Sequence, residues 1–199
     1  MSLRLSYSLI APFYDLAIDK FSQELRRRSL QRLGDVGGKA ILIPGIGTGL
    51  DIPHLPMGAH YTGLDLTPAM LNRARQRIQP ELEISLETGD AMELPYEDAH
   101  FDAVIMHLIL AVVPNPGRAL QEAERVVKPG GRIIILDKFL RRGERALLRR
   151  MISPVIGRLA TRTDVVFEDV LAGCPSLQIN LDNPAALGGW FRNIELIKP

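Results

Sequence analysis

Cysteine is almost missing from this chain: Cys174 stands alone among 199 residues, so neither an internal disulfide nor a cysteine-based metal cluster can form. That usage suits a reducing, cytoplasmic setting, and Cys174 reads as a small apolar filler sooner than as a nucleophile. An excess of one charge is missing too. Lys and Arg number 24 against 23 Asp and Glu, a formal net charge of +1, and no basic patch is interleaved with aromatics, so the chain carries no footprint for nucleic acid. Long apolar runs are also lacking. The longest, Ala103 to Val113, contains His107 and is too short to span a bilayer, while the N-terminal MSLRLSYSLIAPFYDLAID lacks a signal-peptide core. The expectation is a soluble, unprocessed protein. No Ser/Gly-rich or Pro-rich linker, internal repeat or low-complexity tract divides the sequence, and one domain of this length buries roughly 70% of its unfolded surface. No His, Asp or Glu cluster has metal-ligand spacing.

Alternation between two periodicities is what the sequence does have. Short runs rich in Ile, Val and Leu occur at Ala40–Pro44, His60–Asp65, Glu83–Thr88, Phe101–His107 and Arg132–Asp137, a pattern of buried parallel strands. Helical segments fall between them at Pro68–Ile78, with Thr67 as candidate N-cap, and at Pro116–Val127, stopped by Lys128-Pro129-Gly130-Gly131. Such βαβα order predicts an α/β doubly wound sheet with ligand sites at the carboxyl ends of its strands. The end of the chain differs. After a helix predicted over Thr163–Ala172, the runs Leu177–Leu181 and Trp190–Ile197 are joined by only Asp182–Gly189, too little for a helical crossover, so they are expected to pair antiparallel.

The first strand runs directly into three glycines in Ala40-Ile-Leu-Ile-Pro-Gly-Ile-Gly-Thr-Gly49. Glycines at 45, 47 and 49 permit a tight turn and let backbone N–H groups approach a nucleoside or phosphate without Cβ obstruction. A ligand-free strand-to-helix turn accounts for the same cluster taken alone. Asp65, ending the next strand in Thr62-Gly-Leu-Asp65, is placed to accept both hydroxyls of a ribose, although it also suits a turn ahead of Thr67-Pro68. After the third strand, Glu87-Thr-Gly-Asp90-Ala91-Met92 offers a carboxylate and a flexible apolar side chain for an adenine amino group and ring face. Three loops of one edge thus converge on an adenosine-like shape.

In these residues the chain resembles the class I S-adenosylmethionine-dependent methyltransferases. The likeness covers about Tyr14 to Lys138, through IPGIGTG, GLDLTPAMLNRAR, GDAMELPYEDAHFDAVIMH and LQEAERVVKPGGRIIILD. The segment His107-Leu-Ile-Leu-Ala-Val-Val-Pro-Asn-Pro is particularly similar to bacterial phosphatidylethanolamine N-methyltransferases and to the methyltransferases of ubiquinone and menaquinone synthesis, and Trp190–Lys198 to the family's terminal hairpin. The resemblance implies a Rossmann-like, mostly parallel sheet of seven strands with a C-terminal antiparallel hairpin. It implies S-adenosyl-L-methionine as cofactor, with Pro44, Gly45, Gly47, Thr48 and Gly49 beside its methionyl part. Asp65 would hold the ribose hydroxyls, Asp90 the adenine N6, and Met92 would cover the ring, with Leu66 and Ala91 also in the cofactor site. One position departs from the pattern: the family usually carries Asp or Glu two residues before the first motif glycine, assisting the cofactor's ammonium, where this chain has Ile43. Backbone carbonyls of the Pro44–Gly45 loop and of His107 are then expected to take that role.

Methyl transfer from a sulfonium needs no nucleophile motif, because the donor is already activated and the protein chiefly positions the acceptor and excludes water. An acceptor that must lose a proton needs a base. His107, at the carboxyl end of the fourth strand, is the candidate; a cofactor backbone contact with a merely packed ring is the competing role. Tyr7 and Tyr14 belong to a segment that the resemblance implies folds over the cofactor as a lid, where they would wall the sulfonium or else pack into the core. Asp137 and Lys138 suit the acceptor pocket or a surface salt bridge, and His54 reads as structural.

Acceptor choice is expected in residues 1–39 and in a helical insertion over 139–162, which would cap the acceptor site. The insertion carries Arg141, Arg142, Arg145, Arg149, Arg150, Arg158 and Arg162 around an apolar face interrupted by Pro154. It fits either peripheral membrane contact or a plain cap helix. The acceptor expected is a small molecule, lipid or quinone-like in its most specific form. A non-catalytic binder of the adenosyl ligand is one alternative, kept open by Ile43. A nicotinamide-dependent oxidoreductase is the other, disfavoured by Leu50 at the last glycine of GxGxxG. The oligomeric state is left open.

Overall fold

Five parallel strands carry the site to one edge of a seven-stranded sheet. The computed structural model describes residues 22–140 and 165–199; Tyr7, Tyr14 and the arginine-bearing stretch 141–162 lie outside them. The strands are β1 (Ala40–Pro44), β2 (His60–Asp65), β3 (Ile84–Thr88), β4 (Phe101–His107), β5 (Val127–Lys138), β6 (Gln178–Ala186) and β7 (Phe191–Ile197). Their order is β3-β2-β1-β4-β5-β7-β6. Strands β1 to β5 run parallel, and β7 pairs antiparallel with both β5 and β6. The order reverses between β1 and β4, which opens a crevice at their carboxyl ends.

Alternation along the strands distributes the core to two faces. Leu42, Val104, Met106, Ile133, Ile135, Ile194 and Leu196 pack under α3 (Pro116–Val126) and α4 (Phe167–Leu171) through Ala119, Leu120, Phe167 and Val170. Ile41, Ile43, Ala103, Ile105 and Ile134 pack on the other face under α1 (residues 22–30) and α2 (Pro68–Arg75), through Leu30, Leu71 and Ala74. Each such side chain contributes about 1.5–3 kcal/mol by leaving water. Ile43 is therefore a core residue beneath α1, 1% exposed.

Several boundaries differ from the expectation, each for a local reason. The Lys128-Pro129-Gly130-Gly131 stretch starts β5 instead of separating it from α3: Val127 pairs with Phe101, Gly130 N–H donates to Lys198 O at 2.6 Å, and Lys198 N–H donates to Gly131 O at 3.1 Å. Helix α4 is only Phe167–Leu171, because Val166 is extended and bridges Leu140, and Val165 O accepts from Leu140 N–H at 2.8 Å; residues 163 and 164 of the expected helix lie outside the described residues. Helix α2 ends at Arg75, since the N–H groups of Gln76, Arg77 and Ile78 bond three residues back. Strand β6 continues to Ala186, so the terminal pair is joined by the shorter turn Leu187–Gly189. Thr67 occupies the N-cap of α2 without a side-chain capping bond, whereas Asn115 caps α3 by accepting from Arg118 N–H at 3.0 Å.

Among the described residues no helix is long and apolar enough to cross a membrane.

Candidate active site

A cavity of about 350 Å³ lies at the carboxyl ends of β1, β2, β3 and β4. Its walls include Gly45, Gly47, Thr48, Asp65, Leu66, Asp90, Ala91, Met92 and His107. Pro44 and Gly49 are not part of the wall; Gly49 instead packs against α2, where a Cβ would meet Ala74 Cα at 2.9 Å. Leu50, at the position of the last glycine of the dinucleotide pattern, lines the cavity.

The glycine loop is shaped by three left-handed residues, Gly45, Gly47 and Gly49. Gly45 has φ +70° and its N–H donates to Leu64 O at 2.7 Å, tying the loop to β2; a Cβ there would lie 2.3 Å from Ile109 Cδ1. Gly47 has φ +59°, and a Cβ there would meet only Gly45 O, in ordinary contact at 3.9 Å. Its N–H donates to Asp65 Oδ2 at 2.9 Å, and Thr67 N–H donates to Asp65 Oδ1 at 2.8 Å. Each carboxylate oxygen thus holds one backbone donor and keeps a lone pair for a further one. Burial pushes the Asp65 carboxyl above its ordinary pKa, with the two N–H groups opposing it.

The third loop is fixed from both sides. Asp90 Oδ1 accepts from Met92 N–H at 2.8 Å, Leu94 N–H donates to Glu122 Oε2 at 2.9 Å, and Arg125 of α3 donates to the carbonyls of Leu94 and Tyr96 at 3.0 and 2.7 Å. The wall after β4 is apolar: Leu108, Ile109, Val112, Val113 and Pro114. Leu108 has φ +57°, a conformation costing a residue with a side chain about 1–2 kcal/mol. Asp137 supports this wall from below. It is fully buried, its Oδ2 accepts from Ala111 N–H at 3.0 Å, and its Oδ1 accepts from Lys138 N–H at 2.7 Å. Neither Asp137 nor Lys138 lines the cavity, and Asp137 is no surface ion pair.

His107 sits in a buried polar chain that the sequence did not reveal. Pairing places His107 of β4 opposite Leu136 of β5, and Leu136 opposite Asn193 of β7, so the three residues share one face. Helix α1 crosses that face with Ser22, Arg26, Ser29 and Leu30 turned inward, followed by Leu33 of the 3-10 turn Gln31–Leu33. Ser29 Oγ lies 2.9 Å from His107 Nε2 and donates to Asn193 Oδ1 at 3.1 Å. His107 Nδ1 lies 2.7 Å from Asp51 Oδ1, and Asp51 Oδ2 is 2.8 Å from Arg26 Nη1. Burial alone would raise the Asp51 carboxyl, but the charges of Arg26 and His107 hold it well below the usual carboxylate range. Both ring nitrogens of His107 are engaged within the protein, so no lone pair of the ring is directed to a substrate.

The remaining candidates stand apart. His54 closes a 3-10 turn, Ile52–His54, outside the cavity. Cys174 is buried and its thiol is pushed up to about 12 by burial, with Glu124 adding to the effect, which is unsuited to a nucleophile. No group of three or more potential metal ligands occurs among the described residues. Arg26, Ser29, Asp51 and Asn193 were legible only in part: the spacing Ser22, Arg26, Ser29, Leu30, Leu33 puts one arginine of a triple on an apolar helix face.

A cavity with an open glycine loop at one strand end, a doubly anchored carboxylate at the next and an Asp-Met turn at the third fits an adenosyl ligand. A family model described as "Methyltransferase domain" matches residues 42–135. Over 182 residues the chain is 32% identical to the phosphatidylethanolamine N-methyltransferase of Cereibacter sphaeroides, covering 89% of each chain. The chain belongs to the class I S-adenosylmethionine-dependent methyltransferases: it is a methyltransferase, and S-adenosyl-L-methionine is its cofactor. Over 166 residues it is also 34% identical to the demethylmenaquinone methyltransferase of Tropheryma whipplei (strain Twist), covering 79% of this chain and 68% of that one. Among solved structures, a chain of the complex between the Haloferax volcanii Trm112 methyltransferase activator and the putative methyltransferase shares the fold, with TM-score 0.78 at 18% identity over 100% of this chain and 98% of that one.

Proposed function

We propose that this enzyme transfers the methyl group of S-adenosylmethionine to an apolar small molecule, a phospholipid amine or a quinone-type ring, that enters along the wall Leu108–Pro114. The observation that carries this reading is the apolar character of that wall, where Ile109, Val112 and Val113 face the same cavity as Asp65. Two relatives named for phosphatidylethanolamine and for demethylmenaquinone support it. In this reading Asp65 receives the ribose hydroxyls, Asp90 the adenine amino group, and Met92 covers the ring. The sulfonium supplies an activated methyl group when bound. The chain's own residues orient the acceptor and exclude water. His107 acts by positioning, because its ring is already bonded to Asp51 and Ser29.

The test is transfer of labelled methyl from S-adenosylmethionine to phosphatidylethanolamine vesicles and, separately, to a reduced naphthoquinone bearing a prenyl chain, read by organic extraction. Label in either extract supports an apolar acceptor. Label confined to water-soluble amines overturns it.

A further inference from the structure

A guanidinium leaves water only at a cost unless its five N–H donors find partners. Arg26 of α1 is 6% exposed and forms part of the cavity wall. Its Nε donates to Ser22 Oγ at 3.2 Å and its Nη1 pairs with Asp51 Oδ2 at 2.8 Å. Nη2 has no partner among the described residues. The pair with Asp51 holds this arginine at the β4 end of the cavity, beside His107, whereas Asp65 closes β2 and Asp90 follows β3. A ligand whose ribose reaches Asp65 therefore extends its other end toward Arg26. That end of the cavity holds no acid on β1, since Ile43 is turned into the core beneath Leu30 and Leu33.

We infer that Arg26 binds the carboxylate of the cofactor's methionyl end through Nη2, and that Asp51 fixes the guanidinium for it. This inference rests on the cofactor reading above. Asp51 neutralises one charge of the buried pair, and the incoming carboxylate meets donors already oriented, so ordering cost is small. His107, Ser29 and Asn193 complete the support by tying Asp51 to β4 and β7.

The experiment is calorimetric titration of the full chain with S-adenosylhomocysteine and with its decarboxylated analogue, for the wild type and Arg26→Gln. The wild type is expected to prefer the intact compound by about tenfold to a hundredfold, the range of a charge-assisted hydrogen bond. In Arg26→Gln the preference collapses toward unity while the decarboxylated analogue binds as before. Should Arg26→Gln fail to fold by circular dichroism, Arg26→Lys replaces it, with a reduced but measurable preference expected. Equal binding of both compounds by the wild type overturns the inference, as does an equal loss for both compounds in the variant, which would mark Arg26 as purely structural. Binding of neither compound by folded wild type overturns the cofactor reading itself and so is distinguishable from both.

Discussion

Asp51 Oδ1 lies 2.7 Å from His107 Nδ1, with side-chain exposures of 3% and 0%. The residues come from the end of the glycine loop and the end of β4, and their contact joins the two strand ends where the sheet order reverses. Because Arg26 occupies the other carboxylate oxygen, this is a buried charged cluster whose members depend on one another.

The first consequence is acid sensitivity. The folded pKa of Asp51 is depressed, so the unfolded chain binds the extra proton in the window between the two values. The stabilisation is complete above the ordinary carboxylate value of about 3.9 and is lost as pH falls through the folded value. Asp51→Asn is expected to lower the unfolding free energy at pH 7 by about 3 kcal/mol, the scale of breaking a buried pair. The gap between wild type and variant should narrow with acidification. Urea unfolding at pH 7 and at pH 3 checks this; a gap unchanged between them contradicts it.

His107 offers a sharper kinetic prediction. A general base contributes about 10²- to 10⁴-fold, and its removal deletes a limb of the pH–rate profile. With both ring nitrogens engaged, His107→Asn should reduce cofactor affinity and thermal stability but leave the shape of the profile for the acceptor unchanged. Loss of a limb in that variant would restore the ring as a base.

The two loop glycines should respond differently. Gly45→Ala combines φ +70° with a Cβ 2.3 Å from Ile109 Cδ1, so about 2–3 kcal/mol of stability is expected to be lost through overpacking and strain. Gly47→Ala makes only an ordinary contact, with Gly45 O at 3.9 Å, and should cost only about 1 kcal/mol from its left-handed backbone, while impairing cofactor binding because the methyl enters the cavity wall. Thermal unfolding together with cofactor titration separates the two; equal stability losses would contradict the assignment.

What the sequence revealed follows the range of the interactions. β1 and β2 could be read because apolar periodicity and a glycine or aspartate at the end are local signals, and the antiparallel terminal pair followed from a short connection. The Lys128–Gly131 stretch does stop α3, as its local sequence indicates, but its place in β5 is not legible there because its pairing depends on Lys198 at the far end of the chain. Val165 and Val166 fall within a locally helical pattern, although their pairing with Leu140 keeps them out of the helix. At the site, the loop glycines and Asp65 carry a local pattern. The chain from Arg26 to Asn193 does not, since it exists only once β4, β5 and β7 set His107, Leu136 and Asn193 in one row and α1 is laid across them.

The most direct test of the account is titration of wild type and Asp65→Ala with S-adenosylmethionine, the wild type being followed from pH 8 downward. Asp65 is expected to receive the ribose hydroxyls as a carboxylate whose folded pKa is raised by burial. Wild-type affinity should therefore begin to fall at a pH above the ordinary carboxylate value of about 3.9, and Asp65→Ala should lose affinity by about tenfold or more at pH 8. Undiminished binding by folded Asp65→Ala, or wild-type affinity that stays flat down to the ordinary carboxylate range, would contradict the central claim that this carboxylate holds the cofactor.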